Sequence, residues 1–392
     1  MTSLSAGDVL ELLRELATTE LEIIQLSQAS QRTFLVVSPH LANEVMLRGS
    51  VFVKNNMRSW RQATPELAPL GLHMLRLPHV ETSQIATLQS HTASEIASAI
   101  LYIAEYRLSE FCINPLFEMQ RLLSELLTPM LFGDVLDYDL TEVIRATDQL
   151  EQSYGIRQLQ TFFAVNPDYV LDEKNDLDAR IVLHQAFRRT YFSIPRQDVD
   201  ISCLEAFIAL YRAAVASPAT TLVWVCKVLA LQYDMQCSIR AQLSHPKSAK
   251  AGRAMLNSLL WETLRLYPPA WLLVRIAQVK TQLGQQTIVP GDHILVSPYL
   301  QHRSTRLWKN AEQFVPERFL SSTPSPFKKL MSFGHGRRKC PAMNFSLQLL
   351  SQLAEQLVLR FNIKLVESAS EEFDLWVNYR PASDTHLKVE RV

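Results

Sequence analysis

The chain has 392 residues, 47% of them hydrophobic, enough for a large buried core and, on length alone, for two or three domains. Lysine plus arginine (39) balances aspartate plus glutamate (39), so nothing in the charge calls for nucleic acid or an anionic membrane as partner. The five cysteines (Cys112, Cys203, Cys226, Cys237, Cys340) are odd in number and scattered, with no Cys-x-x-Cys, which argues against a disulfide framework or zinc site and predicts a reducing, cytoplasmic setting.

Residues 1–20 carry an amphipathic helical pattern (Val9, Leu10, Leu12, Leu13, Leu16) interrupted by Asp8, Glu11, Arg14 and Glu15. No run there approaches the roughly 20 apolar residues of a membrane span, and no secretory pattern is present, so no membrane anchor is expected. Leu21–Leu26 and Thr33–Val37 read as the two strands of a hairpin. Ser38-Pro39 opens a helix through Leu47, with Ser at the cap and Pro at the first position. Val51 to Pro78 is weakly periodic and rich in breakers, the signature of a long binding loop or lid.

Helical periodicity then dominates to Tyr211, clearest over 84–106, 116–133, 140–164 and 176–192. Leu204 to Ile239 is a long apolar helix with an interruption predicted at Ala216-Ser-Pro-Ala-Thr-Thr221, because an internal proline removes a hydrogen bond. Ala251–Tyr267 is a further helix, stopped by Pro268-Pro269. Leu273–Lys280, Thr287–Val289 and His293–Val296 read as strands, with Pro290-Gly291-Asp292 as a turn. An apolar-periodic stretch runs from Met343 to Leu365. Phe373–Val377 and His386–Val389 read as a last hairpin about Pro381–Asp384. The coarse expectation is a helix-rich α+β chain with strands at both ends.

Chemistry concentrates in Phe333-Gly-His-Gly-Arg-Arg-Lys-Cys340-Pro-Ala342. A cysteine that follows a glycine- and arginine-rich turn and precedes a helix is placed where backbone N–H groups and the helix dipole favour a thiolate. Such a thiolate can ligate heme iron. Gly334 and Gly336 let backbone approach a flat ligand, Pro341 suits the first helical position, and Phe333 can shield the sulfur. Arg338 can pair with a carboxylate. A lone cysteine is more often a small buried hydrophobe; its neighbours weigh against that here. A second element, Glu262-Thr-Leu-Arg265, is an i,i+3 acid–base pair in an apolar helix, and Arg318 in Pro316-Glu-Arg-Phe319 is a candidate third member.

In these residues the chain resembles the cytochrome P450 family of heme-thiolate monooxygenases. Phe333, Gly336, Arg338 and Cys340 match that family's cysteine loop, with Ala342 in place of its last glycine. Glu262 and Arg265 match its Glu-x-x-Arg helix, and Pro316 to Phe319 match its Pro-Glu-Arg-Phe segment. The resemblance implies a mainly α fold with small β-sheets, a single domain over residues 1–392. It would be strand-rich near 21–37, 273–297 and 373–389, with a helical core near 84–267 and 341–361. It further implies heme b with Cys340 as axial iron ligand, propionate contacts from Arg338, Arg275 and His79, packing of the heme on Phe333 and Gly334, and a structural triad of Glu262, Arg265 and Arg318. At the arginine place after His79 stands Ser83.

One departure bears on mechanism. The family's oxygen-binding helix carries a glycine and an acid before a threonine. Here the threonine is Thr220, but the acid is Ala219 and the glycine is Ser217. Proton delivery then falls to Ser217, a water chain or the substrate, or is not needed, with Thr220 kept as a catalytic residue. The implied reading is O₂ activation and oxidation of a small organic substrate, in specialised biosynthesis, by a soluble, bacterial-type, monomeric enzyme. A peroxide-using, rearranging or nitric-oxide-reducing enzyme and a non-catalytic homologue stay open. No Gly-x-Gly-x-x-Gly and no cysteine cluster supplies an internal redox centre, so a separate ferredoxin or flavodoxin is implied, docking near Arg337, Arg338 and Lys339. By family position the pocket would be lined by the 68–80 loop, Val215–Thr220, Ala270–Leu273 and the turn near Pro381, with Trp271, Leu272 and Ala216 making it apolar.

Overall fold

The structure, a computed structural model, describes residues 5–27, 32–54, 112–132, 138–165, 173–193, 201–320, 326–366, 373–382 and 385–392. The expected 84–106 helix, the 68–80 loop, His79 and Ser83 lie outside these residues.

Helix α1 (Ala6–Ala17) begins where a capping box can form: Ser5 accepts from the Asp8 N–H while Asp8 accepts from the Ser5 N–H. Its face of Val9, Leu10, Leu13 and Leu16 is buried. Strands β1 (Ile23–Ser27) and β2 (Thr33–Val36) pair antiparallel, as the hairpin reading expected. Helix α2 (Pro39–Leu47) and β3 (Phe52–Val53) follow. Beyond β4 (Cys112–Ile113) come the helices α3 (Pro115–Phe132), α4 (Leu140–Phe163), α5 (Glu173–Ser193) and α6 (Ile201–Leu231). Next are α7 (Tyr233–Ser244) and α8 (Ala249–Leu266). The described residues are mainly helical with small sheets, the expected class.

Helix α6 is the axis of the core. Val215, Ala219, Leu222, Val225 and Leu229 are buried in one cluster with side chains of α3, α5, α7 and α8. Among the described residues its segment Ile208–Leu231 is long and apolar enough to cross a membrane, but 78% of its most apolar window is buried inside the fold. The predicted interruption does not occur: the helix runs unbroken through Pro218. An internal proline costs about 3 kcal/mol of helix stability. The burial of its neighbours outweighs that here. The real break is at Gln232, after which the fully buried Gln236 amide donates to the carbonyls of Leu229 and Ile363 and accepts from the Ile363 N–H.

Strands β5 (Leu273–Ala277) and β8 (His293–Val296) join the N-terminal hairpin in a five-stranded sheet of order β1-β2-β8-β5-β3. The β2–β8 pair is parallel and the others antiparallel. The expected Leu273–Lys280 strand ends at Ala277. An unforeseen β6 (Thr281–Leu283) pairs in a small hairpin with β7 (Gln286–Ile288), the expected Thr287–Val289 strand. The apolar run after Cys340 also divides. Helix α9 (Met343–Arg360) ends at Phe361, and Phe361–Leu365 is strand β9.

The expected last hairpin is corrected. Strand β10 (Phe373–Leu375) pairs with β11 (Tyr379–Pro381), whereas β12 (Leu387–Arg391) pairs with β9 and β4. The reason is the tight return at residues 376–378, which brings Tyr379 back beside Leu375. That return is clamped from three sides. Trp271 donates its indole N–H to the Trp376 carbonyl (2.9 Å), and Trp224 donates to the Tyr379 carbonyl (3.0 Å). From α4, Gly155 lies so close that an added Cβ would stand 2.4 Å from the Trp376 Cα. We therefore expect Gly155→Ala to displace residues 376–378 and to lower the unfolding free energy in urea by about 1–3 kcal/mol, the usual cost of overpacking. Unchanged stability would show that α4 does not set this turn.

Candidate functional site

The cysteine loop is a backbone construction. The Cys340 N–H donates to the Phe333 carbonyl (2.8 Å) and the Gly334 N–H to the Met331 carbonyl (2.8 Å). Gly334 and Gly336 both have φ +67°, open to glycine at little cost. At Gly336 a Cβ would come 2.5 Å from the Met46 carbonyl oxygen. The close approach that glycine permits there is to α2. Helix α9 starts at Met343 with Ala342 as its cap. Pro341 therefore precedes the helix instead of taking its first position, and Cys340 lies just outside it. The Ala342 N–H donates to the Cys340 sulfur and, with the charges of Lys54 and Lys339, favours the thiolate. Burial acts the other way and is larger, so the thiol pKa stands above its ordinary value.

Glu262, Arg265 and Arg318 are brought together behind this loop. Arg265 grips Glu262 with two hydrogen bonds of 2.7 Å, both side chains fully buried. The Glu262 Oε1 also accepts from the Val315 N–H (2.8 Å) and from Arg318 Nε (3.3 Å). The remaining Arg265 donors reach the carbonyls of His302, Ala311 and Gln313 at 2.6–2.9 Å. A buried ion pair needs such extra partners to offset its desolvation.

His302, which sequence reasoning missed, carries this brace to the cysteine loop. Its Nδ1 stands 2.9 Å from the Arg265 carbonyl and its Nε2 accepts from the Met331 N–H (2.7 Å). The second bond requires an unprotonated Nε2, so Nδ1 carries the proton and donates it to Arg265. Burial, then the Arg265 charge, lower its pKa from 6.5 to about 3. Ser332 adds a parallel tie, its hydroxyl donating to the Leu264 carbonyl (2.9 Å). A single histidine among polar loop residues gave no pattern to find it by.

Three cations converge near Cys340. Arg275 is buried (3% exposed), and burial and Arg338 lower its pKa to about 10. Burial, Arg275 and Arg338 lower that of Lys54 to about 8. Among the described residues no carboxylate ion-pairs with Arg275 or Lys54; the polar contacts of Arg275 are the Val274 carbonyl and the Met46 sulfur. Like charges held together in a low-dielectric place are costly, so the arrangement suits a ligand with carboxylates. Lys54 was not foreseen: it follows a two-residue strand and carries no motif. Phe333 packs edge-on against Trp261, with ring centroids 6.3 Å apart.

Lys54 also lines a cavity of about 270 Å³ bounded by α4, α5, α6, residues 270–272 and the return at 377–378. Ala216, Ser217, Ala270 and Leu272 line it as expected, but Trp271 is fully buried elsewhere and the tail contributes Val377 and Asn378 rather than Pro381. Thr220 is buried one turn beyond Ala216, and Ala219 is fully buried. The cavity wall also carries polar groups that were not anticipated. Glu151 and Arg212 form a buried ion pair (2.8 Å), Asn378 donates to Glu151 (2.9 Å), and Ser217 donates to Asn378 (3.0 Å). In sequence Glu151 and Arg212 read as ordinary polar faces of amphipathic helices. Only the packing of α4 on α6 turns them inward.

Comparison with known proteins agrees with this architecture. The family model of cytochrome P450 matches residues 205–379. Over its whole length the chain superposes on a zebrafish cytochrome P450 structure with progesterone, with a TM-score of 0.77, 20% identity, and coverage of 98% of this chain and 99% of that one. Among curated proteins it is similar to (S)-1-hydroxy-N-methylcanadine 13-hydroxylase of Papaver somniferum, 25% identical over 53% of this chain and 39% of that protein. It is also similar to cyclooctatin synthase of Streptomyces melanosporofaciens, 29% identical over 34% of this chain and 31% of that one. Ferruginol synthase of Isodon rubescens is 30% identical over 38% and 33% respectively. The alignments thus span about a third of each curated relative's length.

Two outcomes test the brace. Glu262→Gln leaves the buried Arg265 charge uncompensated and should cost about 3–5 kcal/mol in urea unfolding. A loss below about 0.5 kcal/mol would remove Glu262 from its structural role. For His302, the unfolded chain binds one more proton than the native chain between pH 3 and 6.5, so its contribution is present above about 6.5 and fades as pH falls. From pH 4.5 to 6.5 the wild-type unfolding free energy should rise by about 2 kcal/mol more than that of His302→Gln. Parallel pH profiles would contradict the buried neutral imidazole.

Proposed function

We propose that the chain is a heme-thiolate monooxygenase of the cytochrome P450 family, whose model matches residues 205–379, acting on a small organic molecule. The observation that carries this reading is the placement of Cys340 on a loop braced to a buried ion pair, facing a cluster of cations that suits an anionic macrocycle.

Cys340 would supply the axial sulfur, and Arg275, Arg338 and Lys54 would hold the heme carboxylates. Lys54 would thereby add a third cation to those contacts. When bound, the heme supplies dioxygen activation and transfer of one oxygen atom to the substrate. The chain's own contributions are positional. The Ala342 N–H directs a donor at the Cys340 sulfur and raises its tolerance for charge. The loop's bonds to His302 and Leu264 hold that sulfur in register. On α6, Ala219 offers no acid and the Ser217 hydroxyl hydrogen is held by Asn378, so protons on this side would move through the Thr220 hydroxyl and water beside it. Electrons would arrive from a separate ferredoxin- or flavodoxin-type protein, for which the exposed Arg337, Arg338 and Lys339 make a basic docking face.

The test is the absorption spectrum of the reduced, carbon monoxide-bound protein. The wild type should show the red-shifted main band of thiolate-ligated heme, and Cys340→Ala should lose it. An unchanged spectrum in the variant would place the ligand elsewhere.

A further inference from the structure

The cavity wall has a fixed hydrogen-bonding direction, and Glu151 sets it. A carboxylate in an ion pair only accepts, so both of its neighbours must donate. Arg212 donates Nη2–H to one oxygen, and Asn378 must turn its amide NH₂ to the other. The Asn378 carbonyl oxygen is thereby turned to Ser217, which can meet it only by donating its hydroxyl hydrogen. A helical serine commonly donates back to the carbonyl four residues earlier. Here that hydrogen is committed to Asn378, and only the lone pairs of Ser217 Oγ are left for a ligand in the cavity. The chain is rigid, since Asn378 sits on the return clamped by Trp271, Trp224 and Gly155, and Glu151, Arg212 and Asn378 are all more than nine-tenths buried.

We propose that the cavity selects substrates that bring a hydrogen-bond donor, a hydroxyl or an N–H, to Ser217 Oγ. Bare hydrocarbons, ethers and esters of the same shape leave that oxygen desolvated and unmet. This rests on reading the cavity as the substrate site of the heme enzyme. It assigns a substrate class to a wall whose charged members would otherwise be a burden, because a buried acceptor without a donor is costly. Glu151 and Asn378 act as positioning residues, through Ser217.

The test is calorimetric titration of the heme-loaded full chain with 2-naphthol, 2-methoxynaphthalene and 2-methylnaphthalene, three two-ring probes of similar shape. One net hydrogen bond predicts that 2-naphthol binds about 5-fold more tightly than the methyl ether. Ser217→Ala removes only the acceptor and should bring that ratio to about 1, a comparison that cancels differences in hydration between the probes. Glu151→Gln is the second variant: its amide lets Asn378 reverse, so Ser217 can donate, and the methyl ether should gain on 2-naphthol by about 3-fold. An equal ratio in wild type and Ser217→Ala overturns the proposal, as does failure of 2-naphthol to bind. The heme spin state, read in the same samples, separates the two readings. Binding that shifts it with no preference for the donor sinks the selection rule alone. Binding without a shift puts the cavity away from the heme and sinks the substrate-site reading beneath it.

Discussion

The interaction on which the site depends is the buried carboxylate of Glu262. It is fully enclosed and accepts four hydrogen bonds, two from Arg265, one from the Val315 N–H and one from Arg318. Each donor comes from a different stretch of backbone or reaches onward to one. Through Arg265 the charge orders the carbonyls of His302, Ala311 and Gln313. Through His302 it reaches Met331, and from there the loop closes on itself between Phe333 and Cys340. A helix two-thirds of the way along the chain thus fixes the height and direction of a cysteine about eighty residues later. The cost of burying two charges is met by saturating them, and what the fold obtains is position.

Charge is handled differently on the two sides of the site. Near Cys340 burial and the Arg338 charge lower the pKa of Arg275, and burial and both arginines lower that of Lys54, an arrangement that suits a dianionic ligand. Across the cavity the Glu151–Arg212 pair is internally matched and spends its directionality on Asn378 and Ser217. The first cluster would take its balancing charge from a ligand. The second imposes an orientation on a hydroxyl. Both sit in low dielectric, where an unmet polar group is costly and a met one is specific.

Much of this was legible in the sequence where a local rule had one reading. The N-terminal hairpin, helix α2 and strand β8 follow from alternation, a Ser-Pro start and a Pro-Gly-Asp turn. Glu262, Arg265, Arg318 and Cys340 stood out because, in order along the chain, they match one family's motifs, and that resemblance implied the fold class. What escaped was set by tertiary packing. Pro218 looks like a helix break, yet the buried surface around it holds α6 continuous. Met343 to Leu365 carries regularly spaced apolar residues to its end, so the pattern did not show where helix gives way to strand at Phe361. The return at residues 376–378 owes its form to Gly155 and two tryptophans far away in sequence, and no turn motif marks it. His302, Lys54, Glu151 and Asn378 are single polar residues with no repeating context. Their roles exist only once separate elements converge.

The central claim is that the braced loop presents Cys340 Sγ to the iron of a bound heme. X-ray absorption at the iron edge of the heme-loaded wild-type protein tests it most directly, because it identifies the atoms bonded to the metal without relying on turnover. The account predicts one sulfur among them. A metal surrounded by nitrogen and oxygen alone would contradict it.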